Sequence, residues 1–325
     1  HPLCLPQAHP AAPSNVSALM SGIMIKTAIY GFIRFIFIPL ALPLWVSVII
    51  LSIGIITAIS GIAYAAVENN YKRLLAYSSI ENIGIITTAF GTSLVAAAID
   101  RPYIAALALM AALFHALNHT IVKGGLFLSA GCIQYATHTK EIPDLGGLAK
   151  KMPWVLVFFL AAAFSISGVP LTNGFVCKTI TITAASELGL NWVYFGLSLA
   201  SIGTFLSITL KMTYFIFFAK PDKEFEVRAI PKNMYWAMGI SAFLNVIFGI
   251  VPFVLYQYLP FGSGSVYHPY TVDHVTQYIE VLVAAMIPFM LYLPHMKPHN
   301  LLSLDFDWFY RKPLVSLVSG TSHVC

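Results

Sequence analysis

Long apolar stretches alternate with short polar connections along the whole chain. Eight of them are long enough to cross a membrane, because a helix needs about 20 apolar residues to span about 30 Å of hydrocarbon. The pattern therefore predicts an all-α polytopic membrane protein with about eight transmembrane segments. The predicted segments are 15–38, 44–66, 74–97, 104–133, 153–190, 192–218, 233–252 and 275–293.

Composition agrees with this class. Of the 325 residues, 58% are hydrophobic and only 10% are charged, against about 25% charged residues in an average soluble domain. The mean hydropathy is +0.79. The net charge of +5 is small and gives no reason to invoke nucleic acid as a partner.

The basic residues sort sharply between the connections on alternate sides of the predicted bundle. One side has only Arg101, with Arg34 near a helix end. By the positive-inside rule the other side is cytoplasmic, which places both ends of this chain in the cytoplasm. That side carries Lys72, Arg73, Lys140, Lys150, Lys151, Lys220, Lys223, Arg228, Lys232, Lys297, Arg311 and Lys312.

The fifth stretch is too long for one crossing. Its 38 residues would measure about 57 Å as a single helix. Gly168, Pro170 and Gly174 stand in its middle, and such residues break helices. The sequence therefore predicts a broken helix, with Lys178 one turn after the break. Broken helices at membrane depth are typical of transport sites.

Three titratable residues recur at four-residue spacing inside the apolar run that ends at Ile133. His115, His119 and Lys123 lie on one face of a helix, drifting only about 40° and rising about 6 Å per step. Because such groups are costly in lipid, they should face protein or water. The alternative is that the histidines only hold packing by hydrogen bonds to a neighbouring helix.

The stripe indicates a proton relay rather than a metal site. Lysine is a poor metal ligand, and no Asp, Glu or Cys stands beside the two histidines. The four cysteines form no CxxC pair or metal-ligand spacing, and the sequence has no Gly-rich nucleotide loop. We therefore expect neither a metal nor a cofactor in this chain.

Three other titratable residues lie within predicted segments. Lys26 is about 16 Å from either end of its segment, too deep to reach the surface comfortably, and either exchanges a proton or forms a structural ion pair. Glu81 is either a relay member or a structural polar contact. Lys211 is seven residues from a segment end, where its long side chain could extend to the interface instead.

Seven motifs carry a family resemblance: 1–14, the helix with Lys26, 72–79, 115–123, 144–148, 167–178 and 305–311. Together they resemble the antiporter-like proton-translocating subunits of respiratory complex I, Mrp cation/proton antiporters and membrane-bound hydrogenases. Two of the stretches, 305–311 and Ser79–Gly84, look most like the branch of this family that contains hydrogenase-4 component B and the formate hydrogenlyase membrane subunit. The pattern departs from the family at Cys4, where tryptophan is usual, and at Gln7, where an acidic residue is common.

The resemblance implies a fold with two inverted five-helix repeats and a line of buried charges at the membrane midplane. Residues 1–66 would include the end of the first repeat, 44–218 the second repeat, and 219–325 the C-terminal helices with an interfacial tail. The chain would be N-terminally incomplete, because charged residues of the family's earlier helices would lie upstream of His1. Carried over by position, the relay comprises Lys26, His115, His119, Lys123 and Lys178.

The function that the resemblance implies is proton translocation by a membrane subunit of a redox-driven complex in a bacterial or archaeal inner membrane. Its partners would be other membrane and redox subunits, and the chain would not be catalytic alone. Two alternatives remain open. One is a sodium–proton antiporter subunit of the Mrp type, and the other is a truncated scaffold that transports nothing.

Overall fold

The computed structural model describes residues 4–37, 42–221, 226–259 and 267–295. Most of each predicted segment falls inside these ranges. The aromatic and basic motif at 305–311, which the sequence assigns to an interfacial tail, lies outside the described residues.

The described chain is built from helices whose bounds follow the apolar stretches closely, which confirms the all-α polytopic fold. Seven helices in these ranges are long and apolar enough to cross a membrane, namely α2, α3, α4, α5, α9, α10 and α12. The remaining predicted segment, the fifth, is the broken pair α7–α8. The helices are α1 (Cys4–Ala11), α2 (Ser14–Phe35), α3 (Leu44–Val67), α4 (Tyr71–Ala98), α5 (Pro102–Thr137), α6 (Leu148–Lys151), α7 (Pro153–Ser167), α8 (Asn173–Glu187), α9 (Asn191–Phe218), α10 (Lys232–Ile250), α11 (Phe253–Tyr256) and α12 (Val272–Tyr292).

Helices α4 and α5 form the centre of the bundle. In their most apolar windows 78% and 67% of the residues are buried, against 17% in the peripheral α2 and α12. Helix α3 packs along α4, and α8 packs against α5. The two central helices carry 13 of the 33 buried polar or charged side chains among the described residues, so the protein interior, and not lipid, surrounds Glu81, His115, His119 and Lys123.

The beginning of α4 and the end of α5 meet at one end of the bundle. The Tyr71 amide donates to the Lys140 carbonyl at 3.1 Å, and an antiparallel bridge joins Asn70 to Glu141. The Asn70 side chain also accepts hydrogen bonds from the Lys72 and Arg73 amides, which caps α4. This end carries Lys72, Arg73 and Lys140 and is called the basic end below.

Glycines allow α3 and α4 to touch backbone to backbone. A Cβ atom added at Gly84 would lie 2.3 Å from the Ala58 nitrogen, and one at Gly61 would lie 2.6 Å from the Glu81 nitrogen. Gly54 and Gly91 make equally close approaches to the facing helix. Small residues at such interfaces let membrane helices gain dispersion and weak hydrogen-bond energy at short range.

We expect Gly84→Val to destabilise the bundle by about 3 kcal/mol, because the added carbons overlap the backbone of α3. Thermal unfolding of the detergent-solubilised protein measures the effect. Gly124→Val is the matched control, since a Cβ at Gly124 meets no atom within 4 Å. Equal melting temperatures for the two variants would contradict the close packing of α3 and α4.

Candidate functional site

Lys26 reaches from α2 to the histidine stripe of α5. Its Nζ lies 2.6 Å from His119 Nδ1 and donates to the Ser21 carbonyl at 2.7 Å. The turn directly before it, Met20–Met24, is π-helical, a distortion frequent at functional sites. Lys26 is half-buried. The structure therefore joins two sequence-predicted candidates by direct contact.

The three stripe residues of α5 are buried and turned towards neighbouring helices. The His115 and His119 rings are 6.2 Å apart between centroids. His115 Nε2 donates to the Asn82 side-chain oxygen at 3.0 Å, and Lys123 Nζ donates to the Leu75 carbonyl at 2.9 Å. Both acceptors belong to α4, so the stripe faces protein, as the cost of placing charge in lipid requires.

Glu81 is a completely buried carboxylate on α4. Its oxygens accept hydrogen bonds from Thr204 at 2.5 Å, Ser78 at 3.3 Å and the Asn82 amide at 3.2 Å. Two lysines act on it electrostatically, Lys123 of α5 and Lys178 of α8. Glu81 therefore lies within electrostatic range of two of the predicted relay lysines at once.

The helix break stands where the sequence predicts it. Helix α7 ends at Ser167, Gly168 adopts a left-handed conformation with φ of +81°, and α8 begins at Asn173. A Cβ at Gly174 would lie 1.7 Å from the Ser165 carbonyl oxygen, so only glycine fits there. Pro170 lies in the turn between the two half-helices.

An asparagine cluster holds the break in place. The Asn173 side-chain amide donates to Asn118 of α5 at 2.9 Å and to Asn245 of α10 at 3.2 Å. Its oxygen accepts a hydrogen bond from the Ser165 hydroxyl. These contacts satisfy polar groups that would otherwise be stranded away from water.

Lys178 is buried one turn into α8. Only 2% of it is exposed, and its Nζ has no hydrogen-bond partner among the described residues. Its stem lies against Gly168, where an added Cβ would come within 3.3 Å of Lys178 Cδ and 2.9 Å of the Tyr278 ring. The lysine is held by packing, and its electrostatic partner is Glu81.

Lys211 stands apart from the other candidates. Its Nζ donates to the Ala66 and Glu68 carbonyls, at 2.8 Å each. These carbonyls lie at the C-terminal end of α3, where backbone acceptors lack helical partners. The described contacts of Lys211 are therefore those of a helix cap, and they do not connect it to the stripe.

The sequence interpretation missed the neutral partners of the charged groups. Asn82 links His115 to Glu81, and the Ser21 and Ser79 hydroxyls lie 2.6 Å apart between α2 and α4. Asn118 directly precedes His119 and belongs to the cluster at the break. The available signal was an asparagine directly beside Glu81 and another directly beside His119, each inside an apolar run.

The arrangement suits proton exchange. Amines, imidazoles and one carboxylate lie in the same part of the bundle, and amides, hydroxyls and carbonyls that can bind or orient protons contact Lys26, His115, Lys123 and Glu81. Within the described ranges, no group of three or more His, Cys, Asp or Glu side chains is placed to hold a metal ion.

Comparisons with known proteins agree with this geometry. Residues 3–207 match the family described as NADH:quinone oxidoreductase/Mrp antiporter, TM. Hydrogenase-4 component B of Escherichia coli K12 is 45% identical over 180 residues, which cover 54% of this chain and 27% of that protein. A Na(+)/H(+) antiporter subunit of Alkalihalophilus pseudofirmus is 29% identical, over 96% of this chain and 43% of that protein.

A solved structure gives the same picture of the fold. The chain superposes on a component of the Mrp complex from Dietzia sp. DQ12-45-1b with a TM-score of 0.70 and 25% identity, covering 86% of this chain and 57% of that one. The matched region thus makes up between about a quarter and little more than half of these relatives.

We expect Asn173→Leu to lower the stability of the bundle by about 2 to 4 kcal/mol, because it leaves Asn118 and Asn245 buried without their shared donor. Thermal unfolding in detergent measures the loss. Asn191→Leu is the control, since Asn191 is exposed at the start of α9. A melting temperature as high as that of the control would show that the cluster does not hold the break.

Proposed function

Because the chain belongs to the NADH:quinone oxidoreductase/Mrp antiporter family, we propose that it moves protons as part of a membrane subunit in a redox-driven complex of the hydrogenase-4 or formate hydrogenlyase type. The observation that carries the proposal is the direct contact of Lys26 with His119 on a buried stripe that continues to Lys123. Redox chemistry would take place in partner subunits, and this chain would contribute the proton path.

The path begins at the contact between α2 and α5. Lys26 exchanges a proton with His119, and His119 with His115, whose ring lies on the same face of α5. Asn82 then links His115 to Glu81. Lys123 and Lys178 both interact with Glu81, so protons on the two lysines compete for one countercharge. Because the two lysines would share this countercharge, a charge that arrives at one lysine would favour loss of a proton from the other.

The break at Gly168–Thr172 gives Lys178 its role in this proposal. An unwound stretch exposes backbone groups and hydroxyls that can bind a proton carrier, as in transporters with broken helices. Lys178 would release protons on the side opposite the basic end. Following the charge distribution, we place the basic end in the cytoplasm of a bacterial or archaeal cell. We also propose that residues 44–218 form one repeat of the antiporter-like fold.

Sodium–proton antiport is the second candidate function. The likeness to the Na(+)/H(+) antiporter subunit of Alkalihalophilus pseudofirmus extends over 96% of this chain, farther along it than the likeness to hydrogenase-4 component B. The two functions share the same proton path and differ in the energy source. Sodium-dependent proton flux in vesicles without a redox partner would favour the antiporter.

We expect Lys178→Ala, in the complete protein and its complex, to lower the initial rate of proton pumping about tenfold or more, while electron transfer continues. Inverted membrane vesicles with a pH-sensitive dye measure pumping, and substrate oxidation measures electron transfer. The alanine removes the amine beside the break and leaves the turn intact.

Lys232→Ala serves as the control, because Lys232 is exposed at the start of α10 and should leave pumping unchanged. An unaltered ratio of protons to electrons in Lys178→Ala would contradict the proposal. That result would favour a chain that scaffolds its neighbours without transporting ions.

A further inference from the structure

A buried histidine outside the proposed relay lies at the basic end. His9 belongs to α1, which precedes the first membrane-spanning helix, and its exposed fraction is 0%. Neither of its ring nitrogens has a hydrogen-bond partner among the described residues. An imidazole buried without a partner loses hydrogen-bond energy, so its presence calls for an explanation.

The His9 ring is held in a fixed position. It stacks on Phe127, with 4.5 Å between the ring centroids and 20° between the planes. Phe127 lies one helical turn from Lys123 on α5, on the side of the basic end. The Ser17 hydroxyl donates to the His9 carbonyl at 3.2 Å, which fixes the backbone of α1 as well.

Lysines fasten α1 over the ends of the two central helices. Lys72 Nζ of α4 donates to the Ala12 carbonyl at 3.0 Å, and Lys140 Nζ donates to the Pro10 carbonyl. On the outer face of α1, Gln7 and Ala11 are exposed. His9 therefore lies on the buried face of α1, stacked on a residue one helical turn from Lys123.

Burial, more than the neighbouring charges, keeps the imidazole neutral. Burial, together with the charges of Lys123 and Lys72, lowers the pKa of His9 to about 4. At neutral pH the ring therefore has one nitrogen that accepts a proton and one that donates. A neutral ring of this kind can exchange a proton with a nearby lysine amine without carrying a lasting charge.

We infer that His9 is a proton-uptake residue, which takes protons at the basic end and delivers them to Lys123. This inference rests on the proposed function. It adds a second entry point for protons, which reaches the stripe at Lys123 and not through Lys26. One ring nitrogen binds a proton from water, and the other nitrogen then releases its own proton to the unprotonated amine of Lys123. The ring ends neutral in its other tautomer, and a single proton has moved with no change in oxidation state.

The competing explanation is that His9 only packs against Phe127. His9→Phe separates the two roles, because phenylalanine keeps a ring that stacks on Phe127 and has no nitrogen. If packing were the only role, this variant would pump like the wild type. His9→Gln provides a second variant of different shape, in case the phenylalanine variant does not assemble.

The test measures proton uptake by inverted vesicles that carry the complete protein in its complex. We expect His9→Phe and His9→Gln to lower the initial uptake rate about tenfold, with electron transfer continuing and melting temperatures near that of the wild type. His138→Asn is the matched control. His138 is an exposed histidine at the same end, in a left-handed conformation that asparagine tolerates.

Lys178→Ala is measured in the same preparation, so that the two hypotheses can fail separately. Wild-type uptake in the assembled His9 variants, with uptake lost in Lys178→Ala, would overturn the role of His9 and leave the proposed function standing. Wild-type uptake in all of these variants would overturn both.

Discussion

Hydrocarbon offers no hydrogen bonds, so the polar groups that this chain carries into the membrane are stable only where other parts of the protein surround them. This constraint explains why the titratable residues gather on α4 and α5. Lys123 donates to a backbone carbonyl of α4, and His115 donates to Asn82. Glu81 is surrounded by Thr204, Ser78 and Asn82. The neutral partners make the buried charges tolerable without fixing them in ion pairs.

The same constraint shapes the helix break. Unwinding frees backbone groups at Gly168–Thr172, and a cluster of asparagines from α5, α8 and α10 surrounds the region. Gly174 brings α8 against the Ser165 carbonyl. The break is thus a defined piece of structure, and packing against Gly168 holds Lys178 within it.

The sequence was informative about features that depend on the residues of a single segment. Hydropathy gave the segments, Gly168, Pro170 and Gly174 gave the break, and the four-residue spacing placed His115, His119 and Lys123 on one face. Contacts between segments far apart in the chain could not be predicted from the sequence, because they depend on how the helices pack. Lys26 meets His119 across 93 positions, and Lys211 meets the end of α3 across about 145. His9 was missed because its burial depends on how α1 folds over helices that come much later in the chain.

The backbone contact between α3 and α4 has a mechanical consequence. Where Gly84 meets Ala58, the two backbones are in direct contact, with no flexible side chain between them. Sliding one helix along the other would therefore make atoms overlap at several close contacts at the same time. The pair behaves as a stiff wall beside Glu81 and Asn82. In this part of the molecule, a response to a changed charge nearby is therefore expected as small rotations of side chains, and not as sliding of α3 along α4.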